Sequence, residues 1–213
     1  MIQSSQPSQS SQPRQSPQRS VESAPAVSVV MRVFNTARYL GEAVESILSQ
    51  TFADFELIAV DDGSTDRSPT LLAEFAARDP RVVVITQPNA GLVAAGNTGL
   101  AHCRGEFIVW MDSDDIAHPE RIARQVEHLR GDPDCVAVGS AYELIDADGE
   151  PITTFRPETS HERLDADHLA GRSGVLPNPT VAMRRRAVEA VGGYRPEFET
   201  AEDLDLFLRL AEA

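Results

Sequence analysis

The chain contains no lysine. All 19 of its basic residues are arginine, set against 33 Asp and Glu, so the 213 residues carry a formal charge of −14. The missing lysine is a compositional bias and points to no function. The shortage of positive charge excludes more, because non-specific nucleic-acid binding and docking on anionic membranes both need basic patches. Cysteine is scarce as well. Cys103 and Cys135 form neither a disulfide framework nor a CxxC metal pattern, and both read as small buried apolar residues of a reducing compartment. No apolar run approaches the roughly 20 residues of a membrane span. The N-terminus lacks the apolar centre of a signal peptide. No P-loop, no GxSxG and no helix-opening GxGxxG is present. His102, His118, His128, His161 and His168 show no metal-ligand spacing.

What is present falls into two parts. Residues 1–25 repeat Gln every third position from Gln3 to Gln18, with Ser and Pro between. Such a segment buries too little apolar surface to offset its ordering entropy and reads as a disordered tail. The remainder, 26–213, holds enough apolar residues for one medium domain. Its first half alternates. "VSVVMRVF" (27–34), "FELIAV" (55–60), "RVVVIT" (81–86) and "EFIVWM" (106–111) read as buried strands. Between them lie helical patterns. Leu40, Ala43, Val44, Ile47 and Leu48 share one face. Ser68-Pro69 supplies an N-cap and a first-turn proline for a helix through Ala77. Gly91–Cys103 is helical but weakened by Gly96 and Gly99. Ile122, Val126 and Leu129 mark a fourth helix, beginning near Pro119. Alternation of this kind predicts an α/β fold with a mostly parallel sheet and helices on both faces. In such sheets ligands bind at the carboxyl ends of the strands.

The second half reads differently. "CVAVGSAYELI" (135–145) is strand-like, and "DADGEPITTF" (146–155) predicts a hairpin turning at Asp148-Gly149. A short helix is expected over His161–Ala170, a strand over 178–183, and a short helix over 184–191 ended by Gly192-Gly193. Thr200–Ala213 reads as the last helix. The sequence stops in or just after it with no closing strand, which reads as a truncation.

Three groups of carboxylates stand out. Asp61-Asp62-Gly63-Ser64-Thr65-Asp66 follows the second strand. It is either an ordinary turn, since these are turn residues, or a nucleotide site in which a carboxylate accepts from a base N–H or a ribose hydroxyl. Asp112, Asp114 and Asp115 end the fourth strand. Asp112 and Asp114 lie one residue apart in an extended segment and can point the same way. Oxygen ligands at that spacing suit Mg²⁺ or Mn²⁺, which take few protein carboxylates and leave room for phosphate. The alternative is a solvated turn that caps the next helix, although a cap needs one Asp rather than three. Glu202-Asp203 opens the last helix. Thr200 and Asp203 have the spacing of a capping box. Alternatively Asp203 is a general base, aimed at a cleft by the burial of Leu206, Phe207 and Leu210. Arg184-Arg185-Arg186 reads as a solvated helix start rather than a diphosphate contact, and Trp110 as core.

Taken in order, these motifs resemble the family 2 glycosyltransferases, inverting enzymes of the GT-A fold. The resemblance runs over about residues 27–212. It is carried by "VSVVMRVFN", "ESILSQTFADFELIAVDDGSTD", "NAGLVAAGNTGL", "GEFIVWMDSDD", "NPTVAMRRRAVEAVGGYRPEF" and "AEDLDLFLRL". It implies a nucleotide-binding half, 26–115, and an acceptor-side half, 116–213, incomplete at its C-terminus. It implies a nucleotide-sugar donor, UDP-linked by analogy, and an acceptor hydroxyl on a saccharide or a lipid-linked precursor. That acceptor would place the protein in the cytoplasm, at the inner face of a membrane, with no nucleic-acid partner. Val33, Phe34 and Asn35 would line the nucleobase, and Asp61 and Asp62 would sit near base and ribose. Asp112-Ser113-Asp114 looks like the family's DXD signature, with Asp114 on a Mn²⁺ or Mg²⁺ ion. Asp112 would lie on the ribose or a metal-bound water, and Asp115 near the sugar. Glu202-Asp203 looks like the ED motif, with Asp203 as base.

Departures accompany the resemblance. Arg32-Val33-Phe34-Asn35 stands where members often have Pro-Thr-Tyr-Asn, Gly96 where many have Arg, and Asn178 where His is frequent. Members also continue past the ED helix. A catalytically incomplete nucleotide-sugar-binding module is therefore the competing reading. A nucleotidyltransferase would need a basic, Gly-rich triphosphate loop near the first strand, where only Arg32 and Arg38 stand.

Overall fold

The structure, a computed structural model, describes residues 24–147, 149–157, 159–172 and 175–212. The first half alternates as the apolar runs predict: β1 (Val27–Val33), α1 (Leu40–Leu48), β2 (Phe55–Asp61), α2 (Ser68–Arg78), β3 (Val82–Thr86), α3 (Leu92–His102), β4 (Phe107–Asp112) and α4 (Arg121–Gly131). The second half adds β5 (Ala137–Val138), β6 (Tyr142–Ile145), β7 (Pro151–Phe155), α5 (His161–Leu169), β8 (Ala182–Arg184), α6 (Arg185–Val191) and α7 (Glu202–Ala211). One six-stranded sheet runs β3-β2-β1-β4-β8-β5. β1 to β4 are mutually parallel, whereas β8 is antiparallel to both β4 and β5.

β1, β2 and β4 are buried almost throughout because helices cover both faces of the sheet. On one face Val29, Met31, Leu57 and Val109 pack with Leu40, Ile47, Leu72, Ile122 and Leu129 of α1, α2 and α4. On the other, Val30, Ile58, Val60 and Trp110 pack with Val93, Val188, Leu206, Phe207 and Leu210 of α3, α6 and α7. The glycines that lower the helix propensity of α3 let it lie close to the sheet. A Cβ on Gly99 would stand 2.4 Å from Val30 Cγ1, and one on Gly96 3.0 Å from the Tyr194 ring.

Several expectations need correction. Residues 135–145 do not form one strand: β5 has two residues and β6 begins only at Tyr142. Gly139 interrupts them, with so little space beside it that a Cβ would meet Leu176 Cδ1 at 2.3 Å. The predicted hairpin exists, but its first strand is Tyr142–Ile145 and its second Pro151–Phe155. Gly149 takes a positive φ there, while Asp148 lies outside the described residues. Asn178–Thr180 form a 3-10 turn rather than strand, because Pro179 has no N–H to give a ladder. Ser68 is not the cap of α2. Arg67 holds that position, and Asp66 Oδ1 accepts the Ser68 N–H at 2.9 Å. Thr200 closes no capping box: Ala201 is the N-cap of α7, with no side-chain capping bond. The tail expected over 1–25 falls almost wholly outside the described residues. Among the described residues no helix is long and apolar enough to cross a membrane.

Candidate functional site

The chain moves outward from β1 to β2 and β3, then returns to place β4 on the other side of β1. The topological switch point therefore lies between the carboxyl ends of β1 and β4, where open α/β sheets form their binding crevice. The motifs singled out in the sequence gather on this edge.

β1 delivers Val33, Phe34 and Asn35. Val33 is buried and its carbonyl accepts the Asp62 N–H at 2.9 Å, while Phe34 is 48% exposed. Asn35 has φ 55°, a left-handed conformation that Asn tolerates better than most residues. From there its Oδ1 accepts the Thr65 N–H (2.8 Å) and the Asp66 N–H (3.3 Å), and its own N–H donates to Ser64 Oγ (3.0 Å). Asn35 thus clamps the loop after β2 against the end of β1. Asp61 is buried and its Oδ1 accepts the Ser64 N–H at 3.1 Å. Asp62 is also buried. Its carboxylate accepts from Gln87 Nε2 (2.7 Å), the Ala90 N–H (2.9 Å) and the Gly91 N–H (3.0 Å). The turn reading of this cluster is therefore physically real: Asp62 holds the loop that leads into α3. The same bonds hold its carboxylate at the crevice edge.

β4 ends in the second cluster. Asp112 is partly exposed, Ser113 is buried, and Asp114 and Asp115 are open to solvent. None of the three carboxylates caps α4, whose N-cap is Glu120 without a side-chain bond. Burial raises the Asp112 carboxyl above its ordinary value against the pull of Arg32. Although its side chain reaches solvent, Asp115 is pushed up to about 6, first by partial desolvation of its carboxylate and then by the negative charges of Asp112 and Asp114. Beneath them Arg121 donates to the Trp110 carbonyl at 2.7 Å, and burial lowers its guanidinium to about 10. Among the described residues no three His, Cys, Asp or Glu side chains gather into a metal cage. Asp112 and Asp114 offer fewer ligands than that, on an edge where charge is already crowded. This donor set fits a hard cation that completes its shell with phosphate and water.

α7 brings the third cluster to the same edge. Glu202 is buried and its Oε1 accepts from Arg32 Nη1 at 3.2 Å. Asp203 is half-buried and accepts the Leu204 N–H at 2.7 Å. Asp205, one turn in, anchors the helix. Arg209 donates to it at 2.6 Å and also to the carbonyls of Val191 and Gly193, each at 2.7 Å. Arg195 Nε donates to Asp205 from the other side at 3.1 Å.

Sequence reasoning missed Arg32, Asp205 and Arg209. A lone charged residue in a buried strand, and an Asp–Arg pair at i,i+4, were the available signals. Arg184, Arg185 and Arg186 lie at the opposite, amino-terminal edge, lining a cavity of about 420 Å³ with Pro25, Asp54 and Arg104. That placement removes them from any diphosphate bound at the carboxyl edge. Arg184 is buried rather than solvated, donating to the Cys135 and Asp132 carbonyls. Trp110 is core as expected, meeting Tyr194 edge-on at 5.3 Å. Both cysteines are free thiols, and burial pushes Cys103 up to about 12.

Residues 28–192 match the model of Glycosyl transferase family 2. The chain belongs to this family. Its fold is GT-A, with the mostly parallel sheet described above. Chondroitin synthase of Escherichia coli is 32% identical over 195 residues, covering 91% of this chain and 27% of that protein. Hyaluronan synthase of Pasteurella multocida is 29% identical over 194 residues, covering 90% of this chain and 19% of that protein. The family 2 chain thus spans well under half the length of both. Among solved structures, mannosyltransferase PcManGT from Pyrobaculum calidifontis, in complex with GDP-Man and Mn²⁺, superposes with a TM-score of 0.68. It is 25% identical, over 88% of this chain and 52% of that one. S. aureus TarS 1–349 in complex with UDP-GlcNAc gives a TM-score of 0.70 at 20% identity, over 87% of this chain and 53% of that one.

Proposed function

We propose that the chain is a metal-dependent, inverting glycosyltransferase that moves a sugar from a nucleotide-diphosphate donor to an acceptor hydroxyl in polysaccharide or glycoconjugate synthesis. One observation carries the reading. Asp112 at the end of β4 and Glu202 at the start of α7, 90 residues apart in sequence, are joined through Arg32 at the switch point of the sheet. A turn or a helix cap would not need this meeting.

The exposed Phe34 ring and the backbone at Val33 receive the nucleobase, and Asn35 fixes the loop beside it. Asp62 carries three protein bonds. A carboxylate has about four lone-pair sites, so one remains for a base N–H or ribose hydroxyl, with Asp61 next to it. Asp112, Ser113 and Asp115 line the path of diphosphate and sugar. Asp114, with Asp112, would hold Mn²⁺ or Mg²⁺, which as a Lewis acid neutralises charge growing on the departing diphosphate. Asp203 takes the proton of the acceptor hydroxyl as it attacks the anomeric carbon from the face opposite the leaving group, and Glu202 secures the helix that presents it. One in-line displacement inverts the anomeric configuration. The UDP-GlcNAc and GDP-Man complexes of the neighbours support a nucleotide-sugar donor and make UDP and GDP the first nucleotides to test.

Calorimetric titration of UDP and GDP, each with and without Mn²⁺, tests the reading. One nucleotide should bind with metal, weaken at least about tenfold without it, and be lost in Asp114→Ala. A folded chain that binds neither nucleotide under any condition would sink the proposal.

A further inference from the structure

The donor-site reading gives Arg32 no task, yet its surroundings are built. It is the one charged residue of β1, and its side chain is only 10% exposed. The strand register sets it beside Asp112 of β4. Nη2 stands 3.7 Å from Asp112 Oδ1, and Nη1 donates to Glu202 Oε1 at 3.2 Å. The guanidinium carbon lies 5.4 Å from the centre of the Trp110 ring, whose face restrains the cation. One buried cation is thus shared by two carboxylates on different elements. Of the other ion pairs of α7, Asp205–Arg195 ties it to the segment after α6, and Asp205–Arg209 lies within the helix. Among the described residues Arg32–Glu202 is the ion pair that ties α7 to the parallel strands.

We propose that Arg32 is a positioning residue coupling occupancy of the donor site at Asp112 to the seating of α7, and so to the setting of Asp203. The inference rests on the donor-site reading above. A guanidinium between two carboxylates divides its attraction between them. When a donor-bound cation or a ribose hydroxyl engages Asp112, that carboxylate holds Arg32 less strongly and the Arg32–Glu202 pair tightens. The coupling is reciprocal: a firmly seated α7 draws Arg32 away from Asp112 and leaves it freer for the donor. Simple structural support would not respond to ligand, so the ligand-dependent response separates the two roles.

The experiment is hydrogen exchange of the α7 amides in the native chain, Arg32→Met and Arg32→Lys. Each is measured with and without Mn²⁺ plus UDP or GDP, whichever calorimetry shows to bind. In the native chain the ligand pair should slow exchange in α7 at least about threefold. Arg32→Met should lose that slowing while still binding the nucleotide. Arg32→Lys, whose ammonium reaches one carboxylate at a time, should show a reduced slowing, and it carries the comparison if Arg32→Met does not fold. Full slowing in both variants overturns the inference, as does a native chain that binds nucleotide without any change in α7. A native chain that binds neither nucleotide fails earlier, at the donor site itself, and calorimetry identifies that failure separately.

Discussion

Asp115 and Asp203 stand on the same edge of the sheet in different company. Asp115 reaches solvent, yet partial desolvation of its carboxylate and the neighbouring Asp112 and Asp114 raise it to about 6. Its folded value therefore exceeds the unfolded one of about 3.9, so the native state binds this proton more tightly than the unfolded chain. The resulting stability is fully present below about pH 4 and is lost as pH rises through about 6. Asp115→Asn removes the dependence. Without nucleotide or metal, the variant should have a higher urea midpoint than the native chain at pH 7.5 and nearly the same midpoint at pH 4. Asp203 is tested by chemistry. Asp203→Asn should bind nucleotide and Mn²⁺ within about threefold of the native chain, yet transfer sugar about 10²–10⁴ times more slowly. Unchanged transfer would show that another group takes the proton. Loss of nucleotide binding would place Asp203 in the donor site instead.

At the scale of elements, the carboxyl edge of the sheet forms one side of the crevice and α7 the other. α7 turns Leu206, Phe207 and Leu210 into the core, which leaves its opening carboxylates at the crevice. Its angle is further fixed by Asp205, whose side chain is only 4% exposed and takes both Arg195 and Arg209. Asp205→Ala leaves Arg209 with backbone carbonyls alone and should cost about 3 kcal/mol in urea unfolding, the usual penalty for half of a buried pair. Amide exchange should accelerate in α7 before it does in α1 or α2. The helices and parallel strands of the first half were legible because their apolar spacing is periodic and their runs are continuous. The second half was less so. β5 and β8 are two and three residues long, too short for any period to register. Gly139 and Pro179 break patterns that look continuous in a hydropathy reading.

For the whole molecule, the site should behave as one linked unit. Nucleotide and Mn²⁺ supplied together at about 100 times the dissociation constant should add about 2.7 kcal/mol, a rise in midpoint on the order of 5–10 °C. Either alone should give a small part of it, and thermal unfolding followed by circular dichroism checks the difference. The sequence by itself determined the parallel α/β architecture, the two faces of the core and the three carboxylate clusters, because these depend on local periodicity and on runs of residues a few positions long. Only the tertiary structure decided which clusters meet. It put Asp112 and Glu202 on either side of Arg32, used Asp62 to hold its own loop, and sent Arg184–Arg186 to the far edge. The physical reason is chain crossing. Strand order and the return of α7 bring together residues as far as 170 positions apart, and no local pattern of charge or hydropathy encodes that distance.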